Sequence, residues 1–395
     1  MTPAERRAGA SLSAIFALRM LGLFLILPVF AVHARTIPGG DNDIYVGLAI
    51  GAYGITQALL QLAFGAASDR YGRKPVILFG LLLFVIGSAV AALAGDIYMV
   101  IAGRVLQGAG AISAAVTALA ADLTRAEHRT KVMAMIGSSI ALVFALSMVA
   151  APLLYAAVGM AGIFWLTAAL ALGSMALVVW VVPDAPEIPA TERGMGGTLA
   201  DILRDGALMK LNFGVFALHV VQTMMWVTVP AAIVARGGLA LPEHWKIYLP
   251  AVLLSFAVMV PAVITAERGG RFKTVFVGAV ALLTLVQFGL HLWAGSVWML
   301  GLWLTLFFVA FNILEATQPS WISRIVSPQI KGTALGVYNT LQSIGLFVGG
   351  FVGGWLAHHL GEASVGYACA ALALAWLVVA ATMSPPATGA RGTDN

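Results

Sequence analysis

The sequence predicts an all-α integral membrane protein of twelve transmembrane helices in two pseudo-symmetric six-helix bundles. Three observations carry that expectation. First, 61% of the 395 residues are hydrophobic and only 10% are charged, with a mean hydropathy of +0.95. A soluble domain carries about 25% charged residues, so a chain this apolar has no surface to offer water. Second, the apolar residues fall in stretches of about 20, the length that crosses about 30 Å of hydrocarbon. Third, Lys and Arg collect in alternate connections between those stretches.

Twelve stretches qualify: 12–34, 44–66, 75–95, 97–121, 131–156, 160–183, 209–235, 245–267, 272–292, 296–320, 331–358 and 362–384. The first follows Arg6 and Arg7 and ends near Val32-His33-Ala34, a pattern shared with secretory signal peptides. The apolar run from Ala8 is too long for a signal core and contains Arg19, so it reads as a span. The many internal Gly and Ala suit helices packed closely in lipid.

One set of ends and loops holds Arg6, Arg7, Arg70, Arg73, Lys74, Arg125, Arg129, Lys131, Arg193, Arg204, Lys210, Arg268, Arg271, Lys273, Arg324, Lys331 and Arg391. The alternate loops hold only Arg35, Arg236 and Lys246. The positive-inside rule therefore puts both termini in the cytoplasm of a multi-pass membrane protein. The net charge of +5 is spread through these short loops and forms no nucleic-acid-binding face. The single cysteine, Cys369, excludes an intramolecular disulfide and a cysteine metal cluster. No metal site and no resident cofactor are expected.

The apolar pattern breaks once, at the Pro- and Gly-rich segment from Pro183 to Leu208. The expected organisation is an N-terminal bundle over 1–183, a cytoplasmic linker over 184–208, and a C-terminal bundle with a short tail over 209–395. The halves echo each other. Asp69-Arg70-Tyr71-Gly72-Arg73 closes the second stretch, and Glu267-Arg268-Gly269-Gly270-Arg271 closes the eighth, 198 residues on. Lys131 opens the fifth and Lys331 the eleventh, 200 residues on. A parallel repeat of this kind is one of the plans of secondary transporters.

These features, together with Gly65-Ala66-Ala67-Ser68-Asp69-Arg70-Tyr71-Gly72-Arg73-Lys74, resemble the major facilitator superfamily, whose loop signature between helices two and three that segment matches. Arg104-Val105-Leu106-Gln107-Gly108-Ala109-Gly110 matches a second signature, on helix four. The stretches Leu18 to Gly22, Glu243 to Lys246, Phe307 to Glu315 and Lys331 to Ala334 are similar to the YajR-like branch of the twelve-helix drug:proton antiporters. Two departures stand out. Where the antiporter signature on helix five has Gly-Pro-x-x-Gly-Gly, this chain has Ala151-Pro152-Leu153-Leu154-Tyr155-Ala156. The C-terminal soluble domain of some members is not expected here. The resemblance implies that Asp69, Arg73 and Asp122 latch the halves on the cytoplasmic side, with Gly65, Arg70, Gly72 and Lys74 completing the gate motif. The acid is expected to face the start of helix eleven, where the helix dipole favours it. A monomer is the family's usual state.

A charge within the bilayer costs roughly 2.5–3.5 kcal/mol on insertion scales and marks a functional candidate. Arg19, Arg104 and Glu315 are such charges. At about 1.5 Å per residue, Arg19, Glu315 and His219 lie at similar depth, on helices one, ten and seven, while Arg104 lies nearer the outer face. His219, Gln222, Thr223 and Trp226 follow i, i+3, i+4, i+7 and form one stripe. Asn312, Glu315 and Pro319 do the same on helix ten. Tyr338, Asn339 and Gln342 make a polar patch on helix eleven, and Gln57 and Gln61 a pair on helix two. Gln107 completes the expected cavity lining. Glu315 is the expected protonation site, with His219 or Arg19 as its partner and Arg104 as organiser or proton relay. A permanent ion pair that only fastens helices is the alternative.

The function expected is secondary active transport, specifically proton-coupled efflux of small amphipathic or drug-like compounds by alternating access, with protons as coupling ion. A uniporter, a symporter or a lipid or glycolipid flippase of the same fold is the alternative within transport. A membrane enzyme or sensor has no catalytic constellation to support it, and no phosphate-binding loop suggests ATP hydrolysis. The cavity's mixed charges leave the substrate's identity and sign open.

Overall fold

The protein is described by a computed structural model over residues 1–184, 199–268, 271–292, 295–326 and 330–384. Among these residues it is helical throughout, with no strand. Helix α1 (Pro3–Phe24) begins ahead of its apolar stretch because Thr2 and Glu5 form a reciprocal capping box, which satisfies two backbone N–H groups otherwise left bare at a helix start. A turn at Leu25 and Ile26 separates it from α2 (Leu27–Ala34), and the two together make the first span. Asn42 caps α3 (Asp43–Tyr71).

Gly72 then turns the chain into α4 (Arg73–Ala92) with φ +93°, a conformation open to glycine and strained for other residues. Helices α5 (Ile97–Ala109) and α6 (Ser113–Asp122) share the fourth span and break at Gly110. There an added Cβ would lie 2.3 Å from the Gly80 carbonyl. Helix α7 (Ala126–Trp180) holds spans five and six, separated by Gly159 at φ 67°. The second half comprises α8 (Leu199–Arg204), α9 (Gly206–Ala235), α10 (Trp245–Arg268), α11 (Phe272–Leu292), α12 (Val297–Ile325), α13 (Lys331–Leu360) and α14 (Glu362–Ala381). Eleven described helices are long and apolar enough to span, and one of them crosses twice, which gives twelve spans.

Of the expected linker over 184–208, residues 185–198 lie outside the described residues and Leu199–Arg204 form α8. The glycines of the repeated loop, Gly269 and Gly270, lie outside them as well.

Leu59, Leu62, Leu142, Leu146, Leu253, Leu254 and Val258 are exposed on the flanks, as side chains solvated by lipid rather than water must be. The ten tryptophans do not all anchor the interfaces. Trp226, Trp321 and Trp376 are fully buried, and the last two sandwich Phe276 edge-on. Their bulk fills the second half's core, where helix packing outweighs interfacial anchoring.

The Lys- and Arg-rich ends of the spans define a basic face, and the opposite ends a far face. The two halves meet along α3 and α13, and the close approaches sit toward the far face. A Cβ on Gly47 would lie 2.0 Å from the Gly350 carbonyl, and one on Gly54 would lie 2.4 Å from that of Ser343. Backbones at this spacing leave no room for side chains. The opposite side of α13 packs on α9 through Gly345 and Gly349. At mid-depth Phe144 of α7 meets Phe308 and Phe311 of α12, with centroids 6.1 and 5.3 Å apart. Toward the basic face, most of α13 from Thr333 to Gln342 is partly exposed.

Candidate transport site

The stripe on α9 brings His219 to α12 and α13. His219 Nε2 lies 3.2 Å from Glu315 Oε1 and 2.8 Å from the Gln342 amide nitrogen. Its Nδ1 lies 2.9 Å from the Val215 carbonyl oxygen. A carbonyl has no hydrogen to give, so Nδ1 carries the proton. Nε2 is then left to accept from Gln342 or from a protonated Glu315, or, in the imidazolium, to donate to the Glu315 carboxylate. These states differ by the transfer of one proton over 3.2 Å. The His219 side chain is 4% exposed and that of Glu315 is 30% exposed. The imidazole is therefore sealed in the wall, while the Glu315 side chain is partly exposed with its Oε1 buried against His219.

The rest of the predicted lining divides. Tyr338, one turn from Gln342 on α13, buries a hydroxyl with no hydrogen-bond partner. Thr223 donates back to the His219 carbonyl at 2.8 Å and helps hold the stripe in register. Gln222 and Trp226 are buried beyond it. Asn312 donates to Ser255 Oγ at 3.0 Å and ties α12 to α10, while Asn339 is half-buried on α13. Gln107 is withdrawn from the cavity: it accepts from Arg104 at 2.8 Å and donates to Ser88 at 2.8 Å inside the first half.

Arg19 is not the partner of Glu315. Its guanidinium donates to Ser113 Oγ at 3.2 Å, Gln57 Oε1 at 3.1 Å and the Gly110 carbonyl at 3.2 Å. The break between α5 and α6 exposes that carbonyl to it. Gln57 in turn donates to Ser343 Oγ across the seam at 3.1 Å. Arg104 donates to the carbonyls of Ala49 and Ile50 at 3.2 and 3.4 Å. Both guanidinium carbons stand over the Tyr53 ring, 5.6 and 5.2 Å from its centroid, where the ring quadrupole favours cations. Gln61 is buried two turns along the same stripe from Tyr53.

Tyr53 and Ser343 escaped the sequence reading. Tyr53 precedes Gln57 and Gln61 at i, i+4, i+8, so extending that stripe by one turn finds it. Ser343 stands beside Gln342 but faces the other half, and no periodicity within one helix shows what lies across a seam.

At the basic face Arg73 gathers the gate acids, Asp69 at 2.5 Å and Asp122 at 2.8 Å, and donates to Ser68 at 2.8 Å. Lys74 pairs with Asp184 at 2.6 Å. Arg73 thus fastens α3, α4 and α6, all within the first half. The side chain of Lys331, at the start of helix eleven, lies outside the description. Gly65 of α3 lies beside Ala114 of α6, where an added Cβ would make ordinary contact at 3.5 Å. Arg70 lies over the ring of Tyr71, 5.3 Å from its centroid.

The family model for the Major Facilitator Superfamily matches residues 12–350. The chain belongs to the major facilitator superfamily. Within it, the chain is 44% identical over 388 residues to the inner membrane transport protein YajR of Escherichia coli strain K12, covering 98% of this chain and 85% of that one. It is 23% identical over 342 residues to the multidrug resistance protein MdtH of Proteus mirabilis, covering 85% of this chain and 84% of the other. A crystal structure of a D-xylose-proton symporter superposes with a TM-score of 0.76 at 16% identity, over 96% of this chain and 98% of that one. This major facilitator protein is a multi-pass inner-membrane transporter and not an enzyme.

Proposed function

We propose that the protein is a proton-coupled exporter of small amphipathic or drug-like compounds, working as a monomer by alternating access, with the basic face and both termini in the cytoplasm. One observation carries this reading: Glu315, partly exposed, stands 3.2 Å from the sealed His219. A carboxyl group in that position has two stable partners, a proton or the imidazolium, and a bound substrate competes for the same place. Desolvation favours the neutral carboxyl and a neighbouring cation favours the charged one, so the pair is poised between the two. The efflux direction rests on similarity to MdtH, a multidrug resistance protein.

Protons enter as the coupling ion, and Arg73 with Asp69 and Asp122 acts as the cytoplasmic gate. The test is proton flux into liposomes under an inward pH gradient, with ethidium and tetraphenylphosphonium as probes, for wild type beside Glu315→Gln. Probe-dependent proton movement that disappears in the variant supports the reading. Probe movement without protons makes the protein a uniporter.

A further inference from the structure

We infer that the first half holds an anion seat at Arg19, and that the compound moved carries an acidic group, a carboxylate or sulfonate, that takes it. The inference rests on the exporter reading above and narrows its substrate class, leaving the other end of the same molecule for Glu315.

Arg19 and Arg104 are each 1% exposed, and among the described residues neither has a carboxylate within ion-pair distance. Glu315, the carboxyl group expected at the depth of Arg19, pairs instead with His219 in the second half. The partners of both cations are neutral: one hydroxyl, side-chain amides and backbone carbonyls, and the Tyr53 ring they share. Burying an ion without its counter-charge is costly, and inside a membrane such a residue marks a functional site.

The two arginines differ in what an incoming group can displace. All three nitrogens of Arg104 are engaged, by Gln107 on its own helix and by two carbonyls of α3. Arg19 has an Nε with no acceptor, and its Nη2 is held by the side-chain oxygen of Gln57 at 3.1 Å. Nε and Nη2 share one edge of the guanidinium, the edge that takes a carboxylate through two parallel hydrogen bonds. Gln57 fills half of that edge with a neutral oxygen, where a charged acceptor makes roughly twice as strong a bond. An acidic group therefore displaces Gln57 from Nη2 and reaches the vacant Nε as well.

The exchange is felt at the seam. The nitrogen of the same Gln57 amide donates to Ser343 Oγ of α13 at 3.1 Å. Once its oxygen leaves Arg19, the amide loses the hold that aims its nitrogen across the seam. Filling the seat thus slackens a bond between α3 and α13. A substrate that binds better when that bond is broken shifts the population toward parting at the far face, where an exporter releases it.

The test uses dansylglycine, a fluorescent amphipathic acid, beside dansylglycinamide, which keeps the same body and lacks the charge. Both are titrated onto purified wild type in chloride-free detergent buffer. The acid should bind roughly tenfold tighter than the amide or better, as for hydrogen bonds to a charged group. Arg19→Gln should abolish that preference while binding the amide as wild type does. Arg19→Lys should keep only part of it, since the charge stays and the fork of donors is lost. Spin-label distances between the far ends of α3 and α13 should lengthen with the acid and not with the amide.

Equal affinities in the wild type, no binding of the acid, or a preference that survives Arg19→Gln overturns the seat. Should Arg19→Gln misfold, an undiminished preference in Arg19→Lys overturns it instead. Acid binding that leaves the distances unchanged overturns the exchange with Gln57. Chloride that raises the unfolding temperature of wild type and not of Arg19→Gln, with no preference for the acid, overturns the substrate assignment in favour of a free inorganic anion. Ethidium and tetraphenylphosphonium carry no acid, so the proton-flux test of the exporter reading stands or falls separately.

Discussion

Gln57 of α3 and Ser343 of α13 share a hydrogen bond of 3.1 Å across the seam between the two halves, while the same Gln57 accepts from Arg19 at 3.1 Å. A buried charge in the first half is thereby tied to the helix of the second half that carries Gln342. A buried hydrogen bond contributes about 0.5–1.5 kcal/mol. Gln57→Leu should raise the population open at the far face by about fivefold, at about 1 kcal/mol. Spin-label distances between the far ends of α3 and α13 measure this. An unchanged distance distribution means the bond is incidental.

Gly47 offers a sharper version of the same point. Its missing Cβ would lie 2.0 Å from the Gly350 carbonyl, so Gly47→Val cannot close the far face without parting α3 from α13. The variant should insert normally and lose transport, and a cysteine introduced beside the seam should become reactive from outside. Transport at the wild-type rate would show that the helices separate there at no cost.

Arg73 joins Asp69 and Asp122 within the first half. Asp122→Asn removes one of two carboxylates and leaves the other. Insertion should be unaffected while the transport rate falls severalfold, and Asp69→Asn should behave alike. If Asp122→Asn lowers only the amount of folded protein, the network is a fastening and not a gate.

Arg104 is wrapped by Gln107 and by the carbonyls of Ala49 and Ile50. Removing a hydrogen bond to a charged group costs about 1.5–3 kcal/mol. Arg104→Ala should therefore lower the unfolding temperature in detergent, and Arg104→Lys should recover only part of it because the fork of donors is lost. Wild-type stability in Arg104→Ala would leave a proton-relay role as the reason for the residue.

The twelve spans were legible because lipid imposes length and apolarity on each of them separately. The stripe on α9 and Glu315 were legible because helical period puts His219, Gln222, Thr223 and Trp226 on one face. Depth counting also placed His219, Glu315 and Arg19 at one level, but it gave no azimuth. Arg19 consequently read, beside His219, as one of two alternative partners of Glu315, whereas it turns to Ser113, Gln57 and the carbonyl freed at Gly110. Gln107 read as cavity lining for a related reason: a polar residue on a membrane helix faces either a cavity or a buried partner, and Arg104 three residues away claims it. The Gln57 to Ser343 bond joins residues 286 apart, a pairing fixed only by how the two halves dock.

The central claim is that substrate and proton compete at Glu315. The most direct measurement is proton release in weakly buffered detergent solution when ethidium or tetraphenylphosphonium is added to the purified protein, wild type beside Glu315→Gln. The account predicts release approaching one proton per probe bound at a pH where Glu315 is protonated, since binding then displaces the proton, and no release from Glu315→Gln. Binding without release in the wild type, or equal release from the variant, would contradict it.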